Sequence, residues 1–198
     1  MADISAQTVK ELREKTGVGM MDCKQALAAC NGDMEKSVEF LRKKGLATAE
    51  KRAGRAISQG TIQSYIHMGG KIGVLLELGC ETDFVAKNED FQELAKSLAM
   101  HVAASSPLGV SENDIDPEVI AKERAVYEGQ ALEEGKKPEF VGKIVDGRVA
   151  KFLKENCLLN QPYVKNPDIT VADLINDTIA KIGENITVKR FTRYQIGE

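Results

Sequence analysis

The chain has 198 residues, of which 42% are hydrophobic and 29% charged, a balance typical of a folded globular protein and unlike that of disordered or disulfide-rich chains. It carries 27 Lys and Arg against 30 Asp and Glu, a net charge of −3, which argues against a general nucleic-acid binder. No apolar run approaches the roughly 18 residues of a membrane span and no signal peptide is recognisable, so we expect a cytoplasmic protein without membrane contact.

The first 45 residues predict three short helices. Ser5 is the candidate N-cap of the first helix, and Gly17 is where we expect it to end. Asp22, with a glutamine three residues later, predicts the start of the second helix. Asp33 is the candidate cap of the third, which we expect to end at Gly45 because a glycine readily adopts the left-handed conformation of a helix terminus.

Between the first two helices lies the loop Gly17–Met21, which contains two methionines. Exposed methionines would make an adaptable contact with a partner, because their side chains are flexible and polarisable. The alternative is that Met20 or Met21 only closes the helical bundle. The residues alone leave both interpretations open.

Residues 46–58 are rich in Ala, Lys and Arg and predict a linker helix. Six basic residues lie between Arg42 and Arg55, against the single acid Glu50. This stretch is either a solvated helix end or a phosphate-binding patch, and its lack of interleaved aromatic residues favours the first. We therefore expect an N-terminal domain over residues 1–55 and a core over residues 56–198.

The period of the pattern changes after the linker. Apolar residues alternate over Ile62–Ile66 and again over Ile72–Cys80, with Gly69-Gly70 between them, which predicts a hairpin. A third alternating run, Ile186–Tyr194, lies at the far end of the chain and predicts the strand that completes the sheet.

The interval between the hairpin and the last strand is helical by pattern. Candidate N-caps or first-turn prolines stand at Asn88, at Asp116-Pro117 and at Lys137-Pro138, and the helices that begin at the two prolines are expected to pack as a hairpin. Residues 158–168 are predicted as a loop, and a last helix is predicted to begin near Thr170. The predicted class is α+β, with a small antiparallel sheet of about three strands covered by helices.

Residues for covalent chemistry are sparse. The two histidines, His67 and His101, fall in separate predicted elements, and the four cysteines form no CxxC pair. There is no metalloprotease, hydrolase or phosphate-loop motif. We expect no enzyme active site, no metal and no cofactor, and we interpret both histidines as structural. The thiols are expected to be reduced; the sequence leaves any role of Cys157 in assembly open.

The segment after the second predicted strand breaks the local rules, because Phe84 and Val85 stand in a strongly polar turn. One interpretation is that Asp83 satisfies loop amides while Phe84 folds back on the next helix. The other is that Thr82–Val85 forms a wedge, with an aromatic anchor beside a carboxylate that enters an apolar pocket of a partner.

Several segments together resemble the elongation factor Ts family, from end to end of the chain. They are Val9–Arg13, Thr16–Leu27, Thr82–Val85, Met100–Ser105, Glu128–Lys137, Gly147-Arg148, Lys151-Phe152, Gln161–Val164 and Lys181–Ile186. Each segment is weak evidence alone, but their order along the chain is specific.

The resemblance implies a ubiquitin-associated-like N-terminal domain joined to a core, both contacting the nucleotide-binding domain of elongation factor Tu in its GDP-bound and nucleotide-free states. It implies that Thr82, Asp83, Phe84 and Val85 dislodge magnesium from that partner and promote GDP release. The candidate contacts of the N-terminal domain are Val18, Gly19, Met20 and Met21, and His101 is a candidate contact in the core. A single copy of the core implies a homodimer, as in the short bacterial forms.

Overall fold

The structure is a computed structural model that describes residues 4–197. Within these residues the helices and strands follow in chain order as α1 (Ala6–Thr16), α2 (Met20–Ala29), α3 (Met34–Arg52), β1 (Gln59–Ile66), β2 (Ile72–Cys80), α4 (Asp83–Ala86), α5 (Glu89–Ser105), α6 (Pro117–Glu133), α7 (Pro138–Asn156), β3 (Pro162–Tyr163), β4 (Asn166–Thr170), α8 (Val171–Ile182) and β5 (Ile186–Gln195). The predicted α+β class is confirmed.

Most predicted helix boundaries are confirmed because they are set by local hydrogen bonds. The Ser5 hydroxyl accepts the Thr8 N–H at 3.1 Å, and Gly17 ends α1 in the left-handed conformation with φ of 69°. At α3, a carboxylate oxygen of Asp33 accepts the Lys36 N–H at 3.0 Å. The two hydrogen bonds and the left-handed turn at Gly17 are local features of the chain.

Two boundary predictions in the same region are wrong. Helix α2 begins at Met20 after Gly19, so Asp22 lies inside the first turn, where its carboxylate pairs with Lys44 Nζ at 2.7 Å. Gly45 does not end the third helix, which continues through the predicted linker to Arg52. Gly45 is buried in mid-helix, where α3 passes close to Ala180: a Cβ on Gly45 would lie only 3.2 Å from the Ala180 Cβ.

The chain folds into two compact units, each made of separate stretches of sequence. The first takes in the described part of residues 1–61 with residues 78–94 and 173–187, and so contains α1–α4 and most of α8. The second takes in residues 62–77 and 95–172 with the described part of 188–198. The domain boundary at residue 55 stays a prediction.

A small apolar core holds the three N-terminal helices together. It consists of Val9, Leu12, Cys23, Ala26, Leu27 and Leu41, with Val18 and Met34 among the half-buried side chains packed around it. Because these residues recur at helical spacing, each helix turns one stripe inward and leaves its polar face in water.

Most residues of the three-stranded sheet, whose strand order is β1-β2-β5, belong to the second unit. The hairpin is closed by the His67 N–H donating to the Ile72 carbonyl at 2.9 Å, and the Ile196 N–H donates to the Lys71 carbonyl at 2.9 Å. The second bond joins the end of β5 to the start of β2, so the three strands are antiparallel as predicted.

Helices α6 and α7 pack against each other as the predicted hairpin, over the buried side chains of Ala131, Val141, Val145 and Val149. The following segment differs from the prediction. Residues expected to form a loop pair as the short antiparallel strands β3 and β4, with Tyr163 opposite Asn166. The two prolines in this segment led to the loop prediction, because proline lacks the N–H that a strand donates. In a two-stranded sheet both strands are edge strands, which tolerate the missing donors.

Candidate functional site

The most exposed apolar group in the first unit is the ring of Phe84. It lies in the four-residue helix α4, directly after β2, and 82% of its surface is in contact with solvent. An aromatic side chain carries a large apolar area that favours burial. Since the ring does not fold back onto α5, its area is available to a partner.

Thr82 holds this short helix in place as its N-cap. Its hydroxyl oxygen accepts the Val85 N–H at 3.4 Å, and its carbonyl accepts the Ala86 N–H at 3.1 Å. The same hydroxyl donates to Glu184 Oε1 at 2.7 Å, and the Thr82 N–H donates to Glu184 Oε2 at 3.0 Å. Thr82 thus accepts hydrogen bonds from two N–H groups of α4 and donates two to Glu184, 102 positions later in the chain.

Asp83 adds a fixed negative charge beside the ring. Its carboxylate accepts from Lys87 Nζ at 2.9 Å across one helical turn. The hydrogen bond and charge of the Lys87 ammonium hold the pKa of Asp83 below its usual value. The wedge predicted at Thr82–Val85 therefore presents an aromatic ring and an ionised carboxylate from one turn.

The second candidate segment, Val18–Met21, lies at the junction of α1 and α2. Met20 is 48% and Met21 69% exposed, whereas Val18 packs against the core of the three helices. The interpretation that either methionine closes the bundle does not fit these exposures. The segment presents two flexible apolar side chains at the start of α2, just after the left-handed turn at Gly17.

Lys181, near the end of α8, contacts the neighbourhood of both candidate segments. Its aliphatic stem covers Gly17, where a Cβ would lie 3.2 Å from its Cδ, and its Nζ pairs with Asp90 at 2.6 Å. Gly17 immediately precedes Val18, and Asp90 lies near the start of α5, after the wedge. Lys181 therefore contacts one residue near each segment, an arrangement for which the sequence offered no signal.

His101 lies in the interior of the second unit and is fully buried. Its Nε2 lies 3.0 Å from Gln161 Oε1, and its Nδ1 accepts the Val164 N–H at 3.2 Å. These partners fit a neutral ring protonated on Nε2. Burial lowers the pKa of His101 and so also favours the neutral form.

His67 lies on the surface of the same unit, with its Nδ1 3.1 Å from the hydroxyl of Tyr65. Both side chains line a cavity of about 410 Å³ whose walls include Ile72, Met100 and Val164. The structure therefore places the two histidines in different surroundings and does not bring them together as a pair.

The basic stretch at the end of α3 is engaged in internal contacts. Arg42 pairs with Asp173 at 3.1 Å, and Lys43 pairs with Glu39 at 2.8 Å. Further along, Arg52 donates to the Ile179 carbonyl at 3.1 Å and Arg55 lies 3.6 Å from Glu81 Oε1. Because these cations already face internal acceptors, the interpretation as a phosphate-binding patch loses its support.

Among residues 4–197, no three His, Cys, Asp or Glu side chains are grouped closely enough to hold a metal ion. Within the same range, none of the helices is both long and apolar enough to cross a membrane.

Comparisons with known proteins point to one family. The family model described as elongation factor TS matches residues 6–198. A protein named elongation factor Ts from Desulfosudis oleivorans is 59% identical over 198 residues, which cover all of this chain and all of the relative. One with the same name from Moorella thermoacetica is 60% identical over 195 residues, covering 98% of this chain and 96% of the relative.

A third relative of that name, from Oleidesulfovibrio alaskensis, is 59% identical over 197 residues and is covered completely. Identity of this level along whole chains requires the same fold and the same order of segments. The family resemblance predicted from the sequence is confirmed. The chain belongs to the elongation factor Ts family and is a translation elongation factor.

Proposed function

We propose that this chain is a guanine-nucleotide exchange factor for elongation factor Tu, acting in the cytoplasm. The observation that carries the proposal is the presentation of Phe84, which is 82% exposed on a turn capped by Thr82. An aromatic anchor held on a rigid support and flanked by a charge is typical of residues that dominate binding energy at protein interfaces.

The mechanism follows from how a GTP-binding protein holds GDP. Backbone amides of the phosphate loop and a magnesium ion neutralise the diphosphate. A wedge that shifts the elements around the magnesium removes part of that neutralisation, so the affinity for GDP falls. In this role Phe84 supplies the desolvated contact area, and the carboxylate of Asp83 repositions polar groups near the ion.

No covalent bond is made or broken in this process, so the protein acts by differential binding rather than as an enzyme. The coupling is reciprocal: a factor that weakens GDP binding by some ratio is itself bound more weakly by that ratio when GDP is present. A shift of about 10⁴ needs about 5.5 kcal/mol of differential affinity. One aromatic anchor supplies roughly 2 to 4 kcal/mol, so further contacts must contribute.

The segment Val18–Met21 is proposed as the second contact. Its two exposed methionines adapt their shape to a partner surface, and they lie in the first turn of α2. His101 is proposed to contribute indirectly. Because its ring is buried and accepts the Val164 N–H, it acts by holding the segment that contains Val164.

A homodimer is proposed from the open face of the three-stranded sheet. Ile66 lies over Gly73, and Glu77 pairs with Arg190 at 2.7 Å, so alternate residues of all three strands share this face. Its large apolar side chains are Ile62, Ile66, Leu75 and Tyr194, all between 51% and 69% exposed. An apolar sheet face of this extent favours burial against a second copy.

The experiment that tests the exchange function is the release of a fluorescent GDP from elongation factor Tu at fixed magnesium, with and without catalytic amounts of this protein. We expect strong acceleration. A well-folded sample that leaves the release rate unchanged would contradict the proposal.

A further inference from the structure

The residues Glu184 and Asn185, which follow α8, have no part in the function proposed above. Helix α8 ends at Ile182, and Gly183 turns the chain with φ of +95°, a left-handed conformation that favours glycine. The next two residues then meet the loop after β2, about a hundred positions earlier in the chain. All these residues belong to the first unit.

Glu184 places both of its carboxylate oxygens on Thr82. One oxygen accepts the Thr82 hydroxyl at 2.7 Å and the other accepts the Thr82 N–H at 3.0 Å. A hydroxyl has one hydrogen, so once it is donated to Glu184 the hydroxyl oxygen is left to accept the Val85 N–H. Glu184 thereby fixes the orientation in which Thr82 caps α4.

A matching contact runs in the opposite direction. Glu81, adjacent to Thr82, accepts the Asn185 N–H at 2.7 Å. The Asn185 side chain is almost fully buried and donates to the carbonyls of Ala53 at 3.4 Å and Arg55 at 3.2 Å. The loop after β2 and the turn after α8 thus each use a carboxylate to bind a backbone N–H of the other. The Asn185 side chain joins this pair of segments to the residues that follow α3.

Helix α4 depends on such support. A helix of four residues is not stable in isolation, because the conformational entropy lost in forming its first turn exceeds the stabilisation from the few hydrogen bonds of that turn. Phe84 makes little contact with the rest of the protein, as its exposure shows. The direction of the ring is therefore set by the backbone of α4, and that backbone is held through Thr82.

We propose that Glu184 is a positioning residue for Phe84, which it orients toward the partner by clamping Thr82 at the start of α4. This inference rests on the proposed exchange function. Because charge-assisted hydrogen bonds to a backbone N–H and a hydroxyl are directional, the clamp selects one orientation of the turn. It lowers the cost of ordering the wedge when the complex forms.

The test measures GDP release from elongation factor Tu with the full chain and its Glu184→Ala, Phe84→Ala and doubly substituted variants. We expect Glu184→Ala to lower kcat/KM for GDP release by about 10-fold or more. The loss in the double variant should be smaller than the product of the two single losses by about fivefold or more. The reason is that both substitutions act on one contact, the Phe84 ring in its presented orientation. Glu184→Gln, which keeps one acceptor oxygen, should fall between wild type and Glu184→Ala.

Glu14→Gln is the matched control, since Glu14 is exposed and pairs only across one turn with Lys10 at 3.8 Å. It should exchange nucleotide like wild type. Amide hydrogen exchange gives an independent reading: Glu184→Ala should raise the exchange rates of the Thr82 and Val85 amides, while the amide of Leu27 in the helical core keeps its rate.

The outcomes separate the two proposals. Wild type that fails to accelerate GDP release overturns the exchange function and the positioning role together. Wild type that is active, with Glu184→Ala equally active or with losses that multiply fully in the double variant, overturns the positioning role alone. Unchanged protection of the Thr82 amide in Glu184→Ala also overturns it.

Discussion

Replacement of Phe84 by Ala tests the wedge directly. An aromatic side chain buries about 150 to 250 Å² in an interface, and at 82% exposure most of that area is still in water in the free protein. At about 25 cal/mol per Å² this area is worth roughly 3 to 5 kcal/mol, of which truncation to Ala removes about 2 to 4 kcal/mol.

We therefore expect Phe84→Ala to reduce kcat/KM for GDP release by about 30- to 700-fold, at 1.4 kcal/mol per factor of ten. The free energy of unfolding should change by less than about 0.5 kcal/mol, because the ring contributes little to the interior. Stopped-flow release of fluorescent GDP gives the first quantity and thermal unfolding gives the second.

The control for this prediction is Phe140→Ala, since Phe140 is also exposed but lies in the first turn of α7, outside the candidate segments. It should exchange nucleotide like wild type. Phe84→Ala with normal exchange, or with a large drop in melting temperature and a proportional loss of activity, would refute the reasoning and favour a role of Phe84 in folding.

Three further predictions concern other parts of the molecule. Replacing Met20 and Met21 together by Ser should raise KM for elongation factor Tu with little change in melting temperature; an unchanged KM would remove this segment from the interface. Ile66→Asp should shift the sedimentation coefficient from dimer to monomer while the far-UV circular dichroism is retained, and a persistent dimer would place the interface elsewhere. The free energy of unfolding should decrease as the pH drops below about 6.5, because His101 becomes protonated in the unfolded state while burial lowers its pKa in the folded state. In His101→Gln this part of the pH dependence should disappear.

The direction of the pH effect follows from proton counting. A histidine whose pKa is lowered by folding binds fewer protons in the folded state, so its contribution to stability is complete above the unfolded pKa of about 6.5 and is lost as the pH falls. The loss cannot exceed about 1.4 kcal/mol per pH unit for one proton. A stability difference between wild type and His101→Gln that is independent of pH would show that folding leaves the pKa of the ring unchanged, and would contradict this prediction.

Local chemistry was sufficient to predict much of the secondary structure. Ser5 and Asp33 cap their helices, and Asp116 caps α6 just before its first-turn proline. These positions could be identified from the sequence because each cap satisfies N–H groups within three residues of itself. The conflict at Phe84, an apolar residue in a polar turn, is likewise visible without coordinates. The residues left a wedge and a ring folded back on the next helix both open, and only the family resemblance favoured the wedge.

What remained hidden depended on residues far apart in the chain. Gly45 has the local features of a helix end, but it lies inside α3, where a Cβ would come within 3.2 Å of the Ala180 Cβ. The alternation of β1 predicted a strand, yet its isoleucines Ile62 and Ile66 lie on the exposed face, which the pattern alone could not show. The bond between Thr82 and Glu184 spans 102 positions. The sequence alone determined most of the helices, the strands of the three-stranded sheet, the family and the candidate wedge. Only the tertiary structure decided what holds that wedge in place, because such contacts exist only after distant segments have packed together.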